Sequence, residues 1–253
     1  MKTIQIKYDL FGFIPLKWDR EYPESWSEVS PAQLVTVAKF YLTEEKNDDV
    51  TFLSGFFGIP RFIAKRLSPF MVYNIIDAID FIRDFTPRES FIIKKLACGI
   101  PPKKGLDGLT FGRFIFIDTY FNEYAIEPDK IKADEALNKF IATLYWPGNK
   151  RFNENLIEQR TKAAAKTDPF VKQAVAINYR LIKDWLTDRY PLIFTKNIDD
   201  DKTKVSKKNS SWLKVFDSIV NDDIINSEKY AGMLLHDVLR YITRKIKENA
   251  KRS

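Results

Sequence analysis

Residues 109–151 read LTFGRFIFIDTYFNEYAIEPDKIKADEALNKFIATLYWPGNKR, and the fold class turns on this stretch. Thr110 stands where an N-cap belongs. Phe111, Phe114, Ile115, Asp118, Phe121 and Ala125 then recur at the three- and four-residue spacing of one helix face. Phe116, Ile117 and Tyr120 fall outside that stripe, so the helix is expected to be buried nearly all round. Beyond Pro128 a second apolar stripe runs through Ala133, Leu137, Phe140, Ile141, Leu144 and Tyr145, and Trp146-Pro147-Gly148 ends it. Two helices joined by so short a link make a hairpin on which further helices can pack.

Working outward, helix starts are legible at several points. Ser30-Pro31 with Gln33 spells an N-cap, a proline at the first helical position and the reciprocal partner of a capping box. Ser68-Pro69 repeats the start. The face that follows carries Val72, Ile75, Ile76, Ile79 and Ile82, with Asp77, Asp80 and Asp84 on the solvated side. Asn153 can cap a helix through Ala165, and Asp168-Pro169 opens a long one through Arg189 that Tyr190-Pro191 stops. Thr3 to Tyr8 alternates polar and apolar residues and reads as a short edge strand, with Phe11 to Pro15 as a break. Phe91-Ile92-Ile93 with Leu96 suits either a strand or a helical turn, and the strand is preferred. The expected fold is therefore mainly α: a multi-helix bundle with at most a small β element near the N-terminus and around residues 90–96.

Composition divides the chain into residues 1–195 as the main helical body, 196–210 as a flexible charged linker and 211–253 as a C-terminal helical hairpin. The linker, KNIDDDKTKVSKKNS, is nearly free of large apolar residues and has no periodicity. The hairpin has Trp212, Val215, Phe216, Ile219 and Val220 on one amphipathic segment, and Leu234, Leu235, Val238, Tyr241, Ile242 and Ile246 on a second. Alone it would bury too little area to be stable, so it is expected to dock on the body or on a partner.

Chemistry is sparse. Cys98 and His236 are the only cysteine and histidine, which leaves too few ligands for a closed zinc site of the common type; His236, the one candidate base for a nucleophilic triad, stands beside Leu234, Leu235 and Val238 and reads as a packed or surface histidine. No GxGxxG, Walker A or HExxH spacing occurs, and the lysines of Gly99 to Gly105 lack the ordered glycines of a phosphate loop. No catalytic, cofactor-binding or metal-binding residue is assigned, and an enzyme is not expected. Asp118 lies in an apolar stripe, where an ionised carboxylate costs several kcal/mol unless paired. It reads as half of a structural ion pair, with Arg151, Arg160 or Arg180 as the anticipated partner. Asn178, on an apolar face of the long helix, reads as a satisfied core amide. Forty-one Lys and Arg against 34 Asp and Glu give a net charge of +7. Arg240, Arg244, Lys245, Lys247, Lys251 and Arg252 concentrate a basic patch towards the C-terminus, compatible with nucleic acid and equally with the helix macrodipole. No apolar run reaches the roughly 20 residues of a membrane helix, and the opening residues lack a signal-peptide pattern, so no membrane partner and a cytoplasmic location are expected.

Four stretches carry a resemblance: Pro23 to Gln33, Leu109 to Phe114 with Asp118 and Tyr120, Ala142 to Pro147, and Arg189 to Phe194. They resemble a group of helical proteins encoded among the structural and tail genes of bacteriophages and prophages of gut bacteria. Arg113 and Trp146 depart from that pattern, which has an acidic residue and an arginine there. Some members of the group look like tail assembly chaperones, which hold the long tape-measure chain while the tail tube grows. The resemblance implies a non-enzymatic phage assembly protein that binds another protein, such as a tail or tape-measure protein, through apolar grooves between helices in the bacterial host cytoplasm. The alternatives are a structural component retained in the virion and a basic helical protein that binds nucleic acid.

Overall fold

In the computed structural model the reciprocal hydrogen bonds of a capping box form at the first expected helix start. The backbone N–H of Gln33 donates to Ser30 Oγ at 3.3 Å, and that of Ser30 donates to Gln33 Oε1 at 2.9 Å. The structure describes residues 1–10, 14–42, 49–148, 150–194, 212–220 and 223–251. The expected linker 196–210, the expected break at 11–13 and Arg252 of the basic patch lie outside the described residues. The described elements are strands β1 (Lys2–Leu10) and β2 (Ile14–Tyr22), then helices α1 (Pro31–Leu42), α2 (Asp49–Phe57), α3 (Arg61–Ala64) and α4 (Pro69–Asp77). They continue with α5 (Phe111–Ile126), α6 (Lys130–Leu144), α7 (Ile157–Ala164), α8 (Pro169–Arg189), α9 (Trp212–Val220), α10 (Ser227–Ala231) and α11 (Leu235–Ala250). The protein is mainly helical, with one small N-terminal hairpin. None of the described helices is long and apolar enough to cross a membrane.

The chain forms two compact units. The first comprises Met1–Arg88 with Asp168–Leu181, and the second Glu89–Thr167 with Ile182–Ser253.

In the first unit β1 and β2 pair antiparallel from Lys2 opposite Tyr22 to Leu10 opposite Ile14. Thr3 to Tyr8 lies in the expected edge strand, and one expectation is corrected: Ile14-Pro15 opens the second strand rather than breaking the chain. A two-stranded sheet leaves each strand an open edge, where a proline is tolerated. The core beneath is aromatic. Phe40, Phe52, Phe56 and Phe57 follow one another at centroid distances of 4.6, 5.4 and 5.1 Å, and Tyr22 closes on Phe57 at 5.6 Å. Ser68 caps α4 by accepting from the Met71 N–H, as its sequence position requires. Asp168 caps α8 through the N–H groups of Phe170 and Val171. Asn178 is 1% exposed.

In the second unit α5 and α6 pack as a hairpin, and α7, α9, α10 and α11 add to it. Asp129 caps α6 through the N–H groups of Ile131 and Lys132. Thr110 holds the N-cap position of α5, yet its side chain makes no capping bond. Its segment instead bridges to the turn before α11: Phe111 N–H donates to the Met233 carbonyl and Leu235 N–H to the Leu109 carbonyl, both at 2.8 Å. The strand expected around 90–96 does not form. Phe91, Ile92 and Ile93 lie in irregular chain, all buried, and the β pairing that directly follows is confined to isolated bridges from Leu96 to Gly99 and from Ile100 to Trp146. Tyr145 Oη donates to the Ile93 carbonyl at 2.8 Å, and burial raises its phenol well above the ordinary value. Gly99, at φ +146°, permits the close pass of Trp146: a Cβ there would lie 2.5 Å from the Trp146 carbonyl carbon.

Candidate functional site

Asp118 sits on α5 at 3% exposure. Lys183 Nζ meets its Oδ1 at 2.7 Å, while Asn122 and Trp212 donate to its Oδ2 at 3.0 and 3.1 Å. Lys183 also donates to Asn122 Oδ1 at 3.2 Å, which closes a small network around the carboxylate. The ion pair is thus made with Lys183 rather than with one of the anticipated arginines, which stand elsewhere. Arg160 donates to the carbonyls of Cys98 and Tyr145, Arg180 lies 4.4 Å over the Phe85 ring, and Arg151 lines a groove described below. The sequence signal for Lys183 was weak because its long stem lets a residue on the helix flank reach the pair. Trp212 brings α9 onto α5 through this bond and through ring contacts with Phe111 and Phe114 at 6.0 and 5.1 Å.

His236 is held at both ring nitrogens. Nε2 lies 2.6 Å from the Gly105 carbonyl, an acceptor only, so Nε2 carries a proton; Nδ1 lies 2.8 Å from Tyr190 Oη. The ring stacks on Tyr190 at 5.8 Å and meets Trp185 edge-on at 6.3 Å. Beside it Lys104 pairs with Glu89 at 2.9 Å, and that bond holds the Glu89 carboxyl below its ordinary value. Of the basic patch, Arg240 pairs with Asp237 at 2.5 Å, Arg244 with Glu248 at 3.7 Å and Lys245 with Glu248 at 3.3 Å. Lys247 and Lys251 are exposed. Among the described residues no group of three His, Cys, Asp or Glu side chains could hold a metal ion.

Two open concavities stand apart from these bonded clusters. In the first unit a cleft of about 410 Å³ lies between α2, α3 and α4, with Val50, Ala64, Leu67, Val72 and Ile76 as its apolar lining and Asp49, Lys65 and Arg83 as its charged groups. Tyr73, also in the lining, is 63% exposed, and Phe70, one turn earlier on α4, is 72% exposed. In the second unit a groove of about 530 Å³ is lined from α5, α10 and residues 151–155.

Arg113 gives that second groove its character. Its Nε and Nη2 donate to the carbonyls of Thr143 and Leu144 at 3.0 and 2.8 Å, satisfying the C-terminal end of α6. Burial, and secondarily the charge of Arg160, pulls its pKa down to about 10. Arg113 and Arg160 lie 5.9 and 4.2 Å from the ring centre of Trp146, itself 4.9 Å from the Phe152 ring. Arg113 and Trp146 therefore meet as a cation–π pair. Sequence reasoning marks both residues without pairing them, because the contact joins the start of α5 to the end of α6 across the hairpin. Comparison with protein-family models, with curated proteins and with solved structures gave no match.

Proposed function

We propose that this chain is a non-enzymatic assembly protein that holds a helical segment of another protein, in the manner of a phage tail assembly chaperone. The observation that carries this reading is the α2–α4 cleft: an apolar lining of about 410 Å³ beside two large aromatic side chains, Phe70 and Tyr73, left exposed on one helix face. Side chains of that size in water mark surfaces that receive a partner, and a cleft between helices suits the apolar face of an incoming helix. The non-enzymatic part is supported by how Asp118 and His236 are used, since each is engaged by neighbours that tie helices together. The resemblance to tail gene products supplies the identity of the partner, a tape-measure chain.

The test places a photo-crosslinking phenylalanine analogue at Tyr73 in protein co-expressed with phage tail proteins. A crosslink to the tape-measure chain, with the protein missing from purified particles, is the expected result. Stoichiometric presence in particles would favour the retained structural component instead, and a crosslink to no tail protein would overturn the reading.

A further inference from the structure

The groove of the second unit offers a binding chemistry unlike that of the apolar cleft. A guanidinium has five N–H donors. Arg113 commits Nε and Nη2 to the Thr143 and Leu144 carbonyls, and its Nη1 has no hydrogen-bond partner among the described residues. Its two acceptors are neutral carbonyls, and this part-buried cation has no bonded carboxylate among the described residues. Arg151 lines the same groove, exposed and without an ion pair among the described residues. Its Nη2 lies 3.9 Å from where a Cβ on Gly232 would stand, which places it over the end of α10. The Phe116 and Phe152 rings, 5.7 Å apart, supply apolar wall to the same space.

We infer that this groove binds a protein segment carrying one carboxylate flanked by apolar side chains, the carboxylate on Arg113 and Arg151 and an apolar neighbour against Phe116 and Phe152. This rests on the protein-holding reading above and adds the partner's chemistry. Charge-assisted bonds from arginine to a carboxylate are among the stronger polar contacts, the more so where water is already excluded from one side. Two further lining residues, Glu154 and Glu228, are exposed carboxylates with no ion pair among the described residues. They disfavour closely spaced negative charge, so the groove selects an isolated carboxylate over a nucleic-acid backbone. Its volume of about 530 Å³ suits a few side chains.

Calorimetric titration of the full chain tests this with a short peptide that is acetylated and amidated at its ends and has one glutamate between leucine and phenylalanine residues. The glutamate peptide is expected to bind, and its glutamine counterpart to bind about tenfold more weakly or worse. Arg151→Gln, which leaves the Arg151 carbonyl that Trp146 uses, is expected to erase that preference with the thermal melt unchanged. A thymidine oligonucleotide should not compete. Equal affinity for both peptides, no heat from the glutamate peptide, displacement by the oligonucleotide, or a preference that survives Arg151→Gln would each overturn the inference. The crosslink at Tyr73 reads the other cleft, so a tape-measure crosslink there without glutamate preference here removes only the carboxylate site.

Discussion

Lys183 and Asp118 form an unequal pair. The carboxylate side chain is 4% exposed and the lysine side chain 26%, so the lysine can turn its ammonium to water if its partner is lost, whereas the carboxylate cannot. Lys183→Met therefore removes a cation from a buried carboxylate that keeps the Asn122 and Trp212 donors, and should destabilise the fold by about 3 kcal/mol, the lower end for a broken buried pair. Asp118→Asn should cost measurably less, and urea unfolding of the two variants decides the order. Glu89 makes the complementary case on the surface. Its hydrogen bond from Lys104 lowers its folded pKa, so the unfolded chain binds the proton more readily. The stabilisation this gives is present above the ordinary carboxylate value and is lost as pH falls through the lowered folded one. Solvent and salt screen an exposed pair, so the effect on global stability is small. An NMR titration of the Glu89 carboxyl should show a midpoint below the ordinary value of about 4.3, returning towards it in Lys104→Met.

Elements announced by short-range chemistry were legible in the sequence. Ser30, Ser68, Asn153 and Asp168 each cap through side-chain bonds to N–H groups two or three residues on, and such bonds are written within a few residues of chain. Elements decided by distant partners were not. The strand Ile14–Tyr22 depends on nine pairings with β1, and Pro15 inside it imitates a break. Phe91 to Ile93 has the composition of a strand, yet all three side chains are buried in succession. No two-residue alternation describes that, because the bond from Tyr145 and the passage of Gly99 against Trp146 fix the segment instead. The candidate sites divide in the same way. Asp118 stood out as a charge in an apolar stripe, but its lysine partner lies on α8, and the role of Arg113 appears only where α6 ends against it. Periodicity marks which face is buried and says nothing of which helix end or loop arrives there.

At the scale of the molecule the first unit is discontinuous in sequence, because Asp168–Leu181 joins Met1–Arg88 only after the chain has traversed the first segment of the second unit, Glu89–Thr167. What that return supplies is specific. The Arg180 guanidinium lies 4.4 Å over Phe85, Lys39 Nζ lies 5.0 Å over Phe170, and Arg88 N–H donates to the Leu181 carbonyl at 3.1 Å. A two-stranded sheet with four short helices buries too little on its own to be stable without that contribution, and its longest helix has 12 residues, near the length at which isolated helices are marginal in water. A fragment ending at Arg88 is therefore expected to lose cooperative urea unfolding and much of its helical circular dichroism. Addition of a peptide covering residues 168–189 should restore part of both, and by mass action the restoration should rise with peptide concentration. A fragment that unfolded cooperatively without the peptide would show that the first ninety or so residues hold a sufficient core of their own, and would demote the returning segment from part of the unit to a covering on it.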